Sequence, residues 1–401
     1  MVFEMRPAPT LSLFCKVVDN YGDVGICWRL SRQLFDEHGI AVTLWVDDLR
    51  ALQQIWPAAA VDVETQIVDG VTVRYWHAEP GSFSFEDIAD IVIEFFGCEI
   101  PEAYVAAMGR RDPAPVWLNL EGLSAETWVE GCHILPSPHP RLPLTKYFFF
   151  PGFTASTGGL LQEMALHDRR RVFQSSPATI ANFLASLGVT ALETGACKAS
   201  LFCYPHAPVA GLFDAWQGQD QPITCLVPEG VAVDAVQTFL DMPAQPGAAK
   251  TRGALTVRVL RFLPQPDYDK LLWACDINFV RGEDSFVRAQ WAGKPFIWHI
   301  YPQDKNLHHV KLRAFLDRYA VGMPGLIEAS LAWNDALPAG APHAGHPVGW
   351  AARLSLFQEG HPQMKQRAAE WALQMQANGD LTSNMLQFAA SVVSKISKNP
   401  L

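Results

Sequence analysis

Apolar runs rich in β-formers recur along the chain, each followed by a polar stretch and then by residues spaced for one face of a helix. The first run, 11–18 (LSLFCKVV), leads through DNYGDVG into ICWRLSRQLFDEHG, whose helical pattern ends at Gly39. This predicts strand, loop and helix, the opening of a βαβ unit. Further strands are predicted at 42–47 (VTLWVD), 71–76, 90–96 (DIVIEFF) and 115–120 (PVWLNL), separated by helical or polar stretches. Alternation of this kind implies a mostly parallel sheet covered on both faces.

The Ser, Thr and Gly of PGFTASTGG (151–159) read as a loop or hinge, after which the alternation resumes. A helix at 175–187 leads to a strand at 200–205 (SLFCYP), a helix at 209–217 and a strand near 222–227. Then come strand 255–263 (LTVRVLRFL), helix 267–274, strand 277–281 (INFVR), helix 284–292 and strand 295–301 (PFIWHIY). PAGAPHAGHPVG (338–349) reads as a Pro/Gly-rich linker, and 350–397 as helices. The expectation is an α/β chain of two Rossmann-like, doubly wound domains, 1–160 and 161–348, with a helical tail, 349–401, returning to the first. Two such domains facing a cleft would set the loop DNYGD (19–23) across from RGEDS (281–285), since both follow an apolar strand and precede a helix.

Composition narrows the possible roles. With 31 Lys+Arg against 41 Asp+Glu among 401 residues, the net charge of −10 argues against nonspecific wrapping of nucleic acid, which needs a basic footprint. A hydrophobic fraction of 49% excludes disorder for the bulk of the chain. The opening MVFEMRPAPT has no basic stretch followed by an apolar one, and no apolar run reaches membrane-spanning length, so a cytoplasmic protein without membrane contact is expected. None of the eight cysteines forms a CxxC pair, which favours buried free thiols over zinc or disulfides. The twelve histidines are scattered, and the adjacent pair His308 and His309 is expected on different helix faces; no metal site is assigned.

The helix after RGEDS is expected to begin at Ser285 or a neighbour. Its unpaired N–H groups and the positive end of its dipole would suit a phosphate, and Arg281 at the preceding strand end would add a bidentate clamp. In that reading Ser285 and the amides face the phosphates, while Glu283 and Asp284 turn aside to sugar hydroxyls or a cationic acceptor. Spacing alone fits equally a plain helix cap with Arg281 paired to its carboxylates, and a plain turn on Gly22 with Asp23 as N-cap. Neither loop carries GxGxxG, and a P-loop is absent, which argues against triphosphate hydrolysis. Phe202, Tyr204 and Phe262 are expected at strand ends, where a planar base can stack and Gln265 can read its edge; ordinary packing is the alternative. Trp28, Trp45, Trp76 and Trp117 are expected in the first core.

The blocks FCKVVDNYGDVGICWRLSRQL (14–34), WLNLEGLSAE (117–126), LPSPHP (135–140), PGFTASTGGLLQE (151–163) and above all FVRGEDSFVRAQWAGKPFIWHIYPQD (279–304) resemble the bacterial elongation factor P arginine rhamnosyltransferases. The resemblance implies a GT-B glycosyltransferase that moves L-rhamnose from dTDP-β-L-rhamnose to one arginine of elongation factor P, inverting the anomeric centre. The modified factor would then rescue ribosomes stalled at polyproline. It implies further that the second domain binds the nucleotide sugar and the first docks the acceptor protein. Carried over by motif, Asp23 corresponds to the general base, with Asp19 beside it and Glu283 as a further catalytic carboxylate. Tyr204, Arg281, Asp284 and Ser285 match positions around the diphosphate and ribose, with Glu283 in the same motif, and Phe202, Phe262 and Gln265 fall where thymine recognition is expected. No cofactor or metal is implied. Rival readings are a GT-B transferase with another donor or acceptor, and a non-catalytic docking module.

The chemistry accounts for the carboxylates. A guanidinium is a poor nucleophile, protonated at ordinary pH and delocalised. It must be held by charged hydrogen bonds and lose a proton as the new N–C bond forms.

Overall fold

The computed structural model describes residues 9–19, 21–76, 83, 87–337 and 361–398. The linker read at 338–349 and the start of the tail, 350–360, lie outside them. The chain divides into two compact units, Met1–Met164 with Met375–Leu401, and Ala165–Gln374.

The first unit runs β1 (Thr10–Cys15), α1 (Tyr21–His38), β2 (Ala41–Val46), α2 (Leu49–Ile55), β3 (Thr65–Val68), β4 (Val71–Tyr75), β5 (Ile91–Phe95), α3 (Glu102–Met108), β6 (Val116–Leu120), α4 (Trp128–Cys132), β7 (Leu135–Pro138) and β8 (Thr145–Phe149). Its sheet has the order β3-β4-β2-β1-β5-β6-β8-β7, parallel except at the two edges, where β3 and β7 pair antiparallel with their neighbours. β1, β5 and β6 are buried almost throughout, as continuous apolar runs in a sheet covered on both faces should be. The edge strands are short and mostly exposed, and β7 carries Pro136 and Pro138, which only an edge tolerates. Phe14 stacks on Trp45 at 5.4 Å and meets Tyr104 edge-on at 4.8 Å, in a core that also holds Trp117 and borders Trp76. Trp28 is fully buried as well.

Of the two readings left open for DNYGD, the N-cap reading of Asp23 falls here. Helix α1 begins at Tyr21, so Asp23 sits inside its first turn and is not its N-cap. The segment 151–159 is irregular but tied down: Gly158 N–H donates to Phe150 O (2.8 Å), Asn384 Nδ2 donates to Gly158 O (3.1 Å), and a Cβ on Gly159 would lie 2.7 Å from Gly379 O. The C-terminal helix Leu381–Lys398 completes this unit, with Thr382 Oγ1 donating to Gln33 Oε1 (2.8 Å) and Phe388 edge-on to Tyr147 at 5.2 Å.

The second unit runs α5 (Leu166–Gln174), α6 (Pro177–Ser186), α7 (Ala191–Gly195), β9 (Cys197–Leu201), α8 (Val209–Gln217), β10 (Ile223–Pro228), α9 (Val233–Leu240), β11 (Ala249–Arg252), β12 (Leu255–Leu260), α10 (Gln265–Ala274), β13 (Ile277–Arg281), α11 (Asp284–Ala292), β14 (Phe296–His299), α12 (Leu307–Tyr319) and α13 (Pro324–Trp333). The helix His361–Gln376 then packs on it: Trp371 Nε1 donates to Gln290 Oε1 (2.7 Å) and Arg367 Nε to Tyr319 O (2.8 Å). The sheet order is β11-β12-β10-β9-β13-β14, with β11 alone antiparallel. Among the parallel strands of each sheet the order reverses once, between β1 and β5 and between β9 and β13. At such switch points the loops leaving the carboxyl ends diverge and open a crevice for ligand.

Strands β9 and β12 stop at Leu201 and Leu260, so Phe202, Tyr204 and Phe262 lie in the loops beyond them and not in the strands. The cause is visible in the backbone accounting. Phe202 N–H still bonds Phe279 O (3.0 Å), but the next groups are taken by side chains: Cys203 O accepts from Arg281 Nη1 (3.3 Å) and Tyr204 N–H donates to His299 Nδ1 (3.2 Å). Helix α10 starts at Gln265, two residues before the expected 267. His308 and His309 do not diverge; their rings meet edge-on at 4.3 Å.

A buried ion pair joins α10 to α11. Arg288 Nε and Nη2 donate to the two oxygens of Asp269 at 3.0 and 2.7 Å, with the side chains 2% and 8% exposed. Arg288→Ala leaves Asp269 buried without this partner and is expected to cost about 3–5 kcal/mol, read from the denaturant midpoint. A cost as small as that of a surface pair, below about 1 kcal/mol, would contradict the assignment.

Candidate active site

In the first unit the site residues leave the carboxyl end of β1. Asp23, the third residue of α1, is only 5% exposed and reaches back past the helix start, where its Oδ2 accepts N–H from Val18 and Asp19, both at 2.8 Å. This is the reverse bond of a capping box, made by a shorter side chain to the residues ahead of the helix. Burial pushes the Asp23 carboxyl above its ordinary 3.8; the two amides oppose that, and the Asp19 and Asp47 carboxylates add to it. Asp47, directly after β2, accepts Val17 N–H at 2.8 Å. A Cβ on Gly22 would come within 3.0 Å of Asp19 Oδ2, so glycine is what lets this carboxylate lie against the first turn of α1.

The other loop of this switch point, after β5, has three residues in four with left-handed backbone: Phe96 (φ +54°), Gly97 (φ +62°) and Glu99 (φ +59°). It is fixed by Asn119 Oδ1, which accepts Gly97 N–H (2.9 Å), and by Glu94 Oε1, which accepts Glu99 N–H (3.0 Å). Non-glycine residues in this conformation cost about 1–3 kcal/mol each and persist where surrounding bonds over-determine them, commonly at functional sites. Neither Asp47 nor this loop was singled out from the sequence. The signal for Asp47 was its place just past a strand that pairs with β1.

In the second unit Arg281 ends β13 and is half-buried. Its guanidinium carbon stands 4.4 Å from the Phe202 ring centroid and 4.9 Å from that of Tyr204. The two rings and Cys203 O hold the planar fork in one orientation. Gly282 follows in the left-handed region (φ +62°), turning the chain into α11. Glu283 is the N-cap residue but makes no side-chain capping bond; Asp284 is the first helical residue, and its Oδ2 accepts from Gln265 Nε2 at 3.2 Å. That bond links the start of α10 to the start of α11.

Ser285 is the second residue of α11. Its buried hydroxyl turns back on Arg281, donating to the Arg281 carbonyl and accepting the Arg281 N–H at 3.1 Å. The hydroxyl thereby ties the start of α11 to the Arg281 turn. Phe262 is half-buried, and its N–H donates to Glu229 Oε1 (2.8 Å) at the end of β10. The second unit thus brings Phe202, Tyr204, Gln265, Arg281, Asp284 and Ser285 into one connected set, with Glu283 in the same turn and Phe262 tied to a neighbouring strand end. Asp19 and Asp23 belong to the first unit. Among the described residues no three His, Cys, Asp or Glu are grouped to hold a metal ion, and no helix is long and apolar enough to cross a membrane. The cysteines are free, and Cys15, Cys27, Cys203, Cys225 and Cys275 are buried.

Residues 11–390 match the family model described as Elongation-Factor P (EF-P) rhamnosyltransferase EarP. The chain belongs to the EarP family. It is 48% identical over 385 residues to the protein-arginine rhamnosyltransferase of Pseudomonas putida and 45% identical over 384 residues to that of Pseudomonas aeruginosa; each match covers 94% of this chain and 98% of the relative. A solved structure described as the basis for EarP-mediated arginine glycosylation of translation elongation factor EF-P superposes with a TM-score of 0.66 at 34% identity, covering 96% of this chain and 99% of that one. The two parallel-rich sheets with their helices are those of the GT-B α/β fold, and as an EarP-family member the chain is a protein-arginine rhamnosyltransferase, an enzyme of the glycosyltransferase class.

Proposed function

We propose that the chain transfers L-rhamnose from dTDP-β-L-rhamnose to one arginine of EF-P in a single inverting displacement. The observation that carries the donor half is the Arg281 fork, held between Phe202 and Tyr204 at the N-terminal end of α11. A diphosphate there meets a fixed guanidinium and the helix amides, and both act most strongly as negative charge grows on the leaving group. Asp284 and Gln265 are assigned to the ribose and thymine side, Phe262 to stacking on the base, and Glu283 to the rhamnose hydroxyls.

On the first unit Asp23 is the base. A guanidinium nitrogen of the acceptor supplies its electron pair to C1 of rhamnose, and the bond from C1 to the β-phosphate oxygen breaks. The nitrogen proton passes to Asp23, dTDP leaves with the bonding pair, and the product is a rhamnosyl-guanidinium with the anomeric centre inverted. Both backbone bonds fall on Oδ2 of Asp23, so Oδ1 is the oxygen assigned to the proton. A pKa raised by burial makes this carboxylate a stronger base than one in water, and Asp19 balances the acceptor charge.

The reading requires no metal ion, because Arg281 and the α11 amides supply the positive field; turnover is expected to survive a chelator. It places the enzyme in the cytoplasm, where rhamnosylated EF-P acts on ribosomes stalled at polyproline. Calorimetry with dTDP and UDP tests the donor assignment. Tighter binding of dTDP and an α-linked product by NMR are expected, whereas preference for UDP or a β-linked product would contradict it.

A further inference from the structure

Two imidazoles far apart in sequence, His206 and His299, meet beside the donor residues, with their Nε2 atoms 2.9 Å apart. His299 is fully buried at the end of β14, and His206 is exposed in the loop after β9. A third group decides where their protons lie. The Tyr204 backbone N–H can only donate, and it points at His299 Nδ1 (3.2 Å), so that nitrogen carries the lone pair. Burial, with His206, Arg281 and His308 as further cationic or titratable neighbours, pushes His299 down to about 3 and keeps it neutral. Its single proton is then on Nε2 and is donated to His206. His206 must accept through Nε2 and carry its own proton on Nδ1.

The end of β14 also holds the other loop of the crevice. The His299 carbonyl accepts Gly282 N–H (3.1 Å), and Trp298 Nε1 donates to Gly282 O (2.6 Å). Asn334, itself buried, fixes that strand end by donating to Trp298 O (2.8 Å) and accepting Ile300 N–H (3.0 Å). His299 therefore bonds the backbone of both the Tyr204 loop and the Arg281 turn. The His206 ring lies parallel to that of Tyr204 at 6.1 Å, and Arg281 stands against the same ring.

We propose that His299 is a positioning residue for the sugar-nucleotide diphosphate: it pins Tyr204, sets the loop 202–206 against Arg281, and engages His206 through Nε2 so that the Nδ1–H of His206 faces outward as a donor. This rests on the donor reading of the second unit. Ordering the loop beforehand removes a cost that the ligand would otherwise meet on binding. The group that does it is not legible in the sequence, because it acts across 93 residues.

Two measurements test it on the full-length chain. Histidine-labelled protein observed by ¹⁵N NMR at neutral pH is expected to show His299 as the Nε2–H tautomer and His206 as the Nδ1–H tautomer; the opposite pair would overturn the proposal whatever the ligand. In kinetics with folded variants, loss of the Tyr204 bond in His299→Ala is expected to raise the KM for dTDP-rhamnose about tenfold, the equivalent of one hydrogen bond, with kcat and the KM for EF-P little changed. His299→Asn places an oxygen where Nδ1 stood and is expected to restore most of the affinity, whereas His299→Gln keeps only the contact to His206 and stays weak. An Asn variant no better than Ala, or an Ala variant that binds like the wild type, would overturn it. Wild-type protein that binds no dTDP-rhamnose would instead remove the donor reading, and the positioning role with it.

Discussion

Asp23→Asn is expected to lower kcat by at least about a hundredfold, the usual worth of a general base, while leaving the affinity for dTDP-rhamnose nearly unchanged. The variant isolates proton transfer because an amide oxygen can still accept the Val18 and Asp19 N–H groups that Asp23 now holds at 2.8 Å. It should also melt no lower than the wild type at neutral pH. The sign follows from linkage. The folded-state pKa of Asp23 is raised above its ordinary 3.8, so its favourable contribution is fully present below that value and is lost as pH rises through the folded value. At neutral pH the ionised, buried Asp23 is a burden on the fold, and replacing it removes that burden. The advantage of the variant should shrink as pH falls toward the acid range. In the wild type, activity should fall on acidification through a limb lying above 3.8, and the residual activity of the Asn variant should lack that limb. Loss of donor binding together with activity would end the base assignment and leave Asp23 as a staple of the loop before α1.

Arg281→Ala carries the second large effect. It removes the fork that stands over Phe202 and Tyr204 and bonds Cys203 O. Charge-assisted hydrogen bonds are worth about 1.5–3 kcal/mol, so the dissociation constant for dTDP should rise roughly ten- to hundredfold. Arg281→Lys should recover only part of this, since a point charge replaces a planar fork. Circular dichroism and the melting temperature separate this from collapse of the Tyr204 loop. A folded Ala variant with wild-type affinity would remove Arg281 from the diphosphate site.

The central strands and the Arg281 motif were legible because their signal is local. INFVR is an apolar run that stops at a charge, and DSFVRAQWA repeats at helical spacing; both were read to the residue as β13 and α11. The edge strands β3 and β7 were not, for they are short, exposed and free of alternation. At the site the residues were legible but their partners were not. Phe202 and Tyr204 look like strand residues, but their loop is held by Arg281 and His299, whose positions come from pairing across the sheet. A turn on Gly22 with Asp23 as N-cap was one of the readings left open, and the bonds of Asp23 to Val18 and Asp19 instead accompany a helix that starts at Tyr21. Ser285 was named with the phosphate-side residues of the motif, and its hydroxyl bonds the Arg281 backbone. Local pattern named each residue; contacts across the sheet place Phe202 and Tyr204, whereas bonds to residues four or five positions away place Asp23 and Ser285.

The most direct test of the account is intact and peptide mass spectrometry of EF-P after incubation with the purified chain and dTDP-β-L-rhamnose. The predicted result is a gain of one deoxyhexose on a single arginine side chain, absent with the Asp23→Asn variant. No gain, a gain on another residue type, or an equal gain from a uridine-linked donor would contradict it.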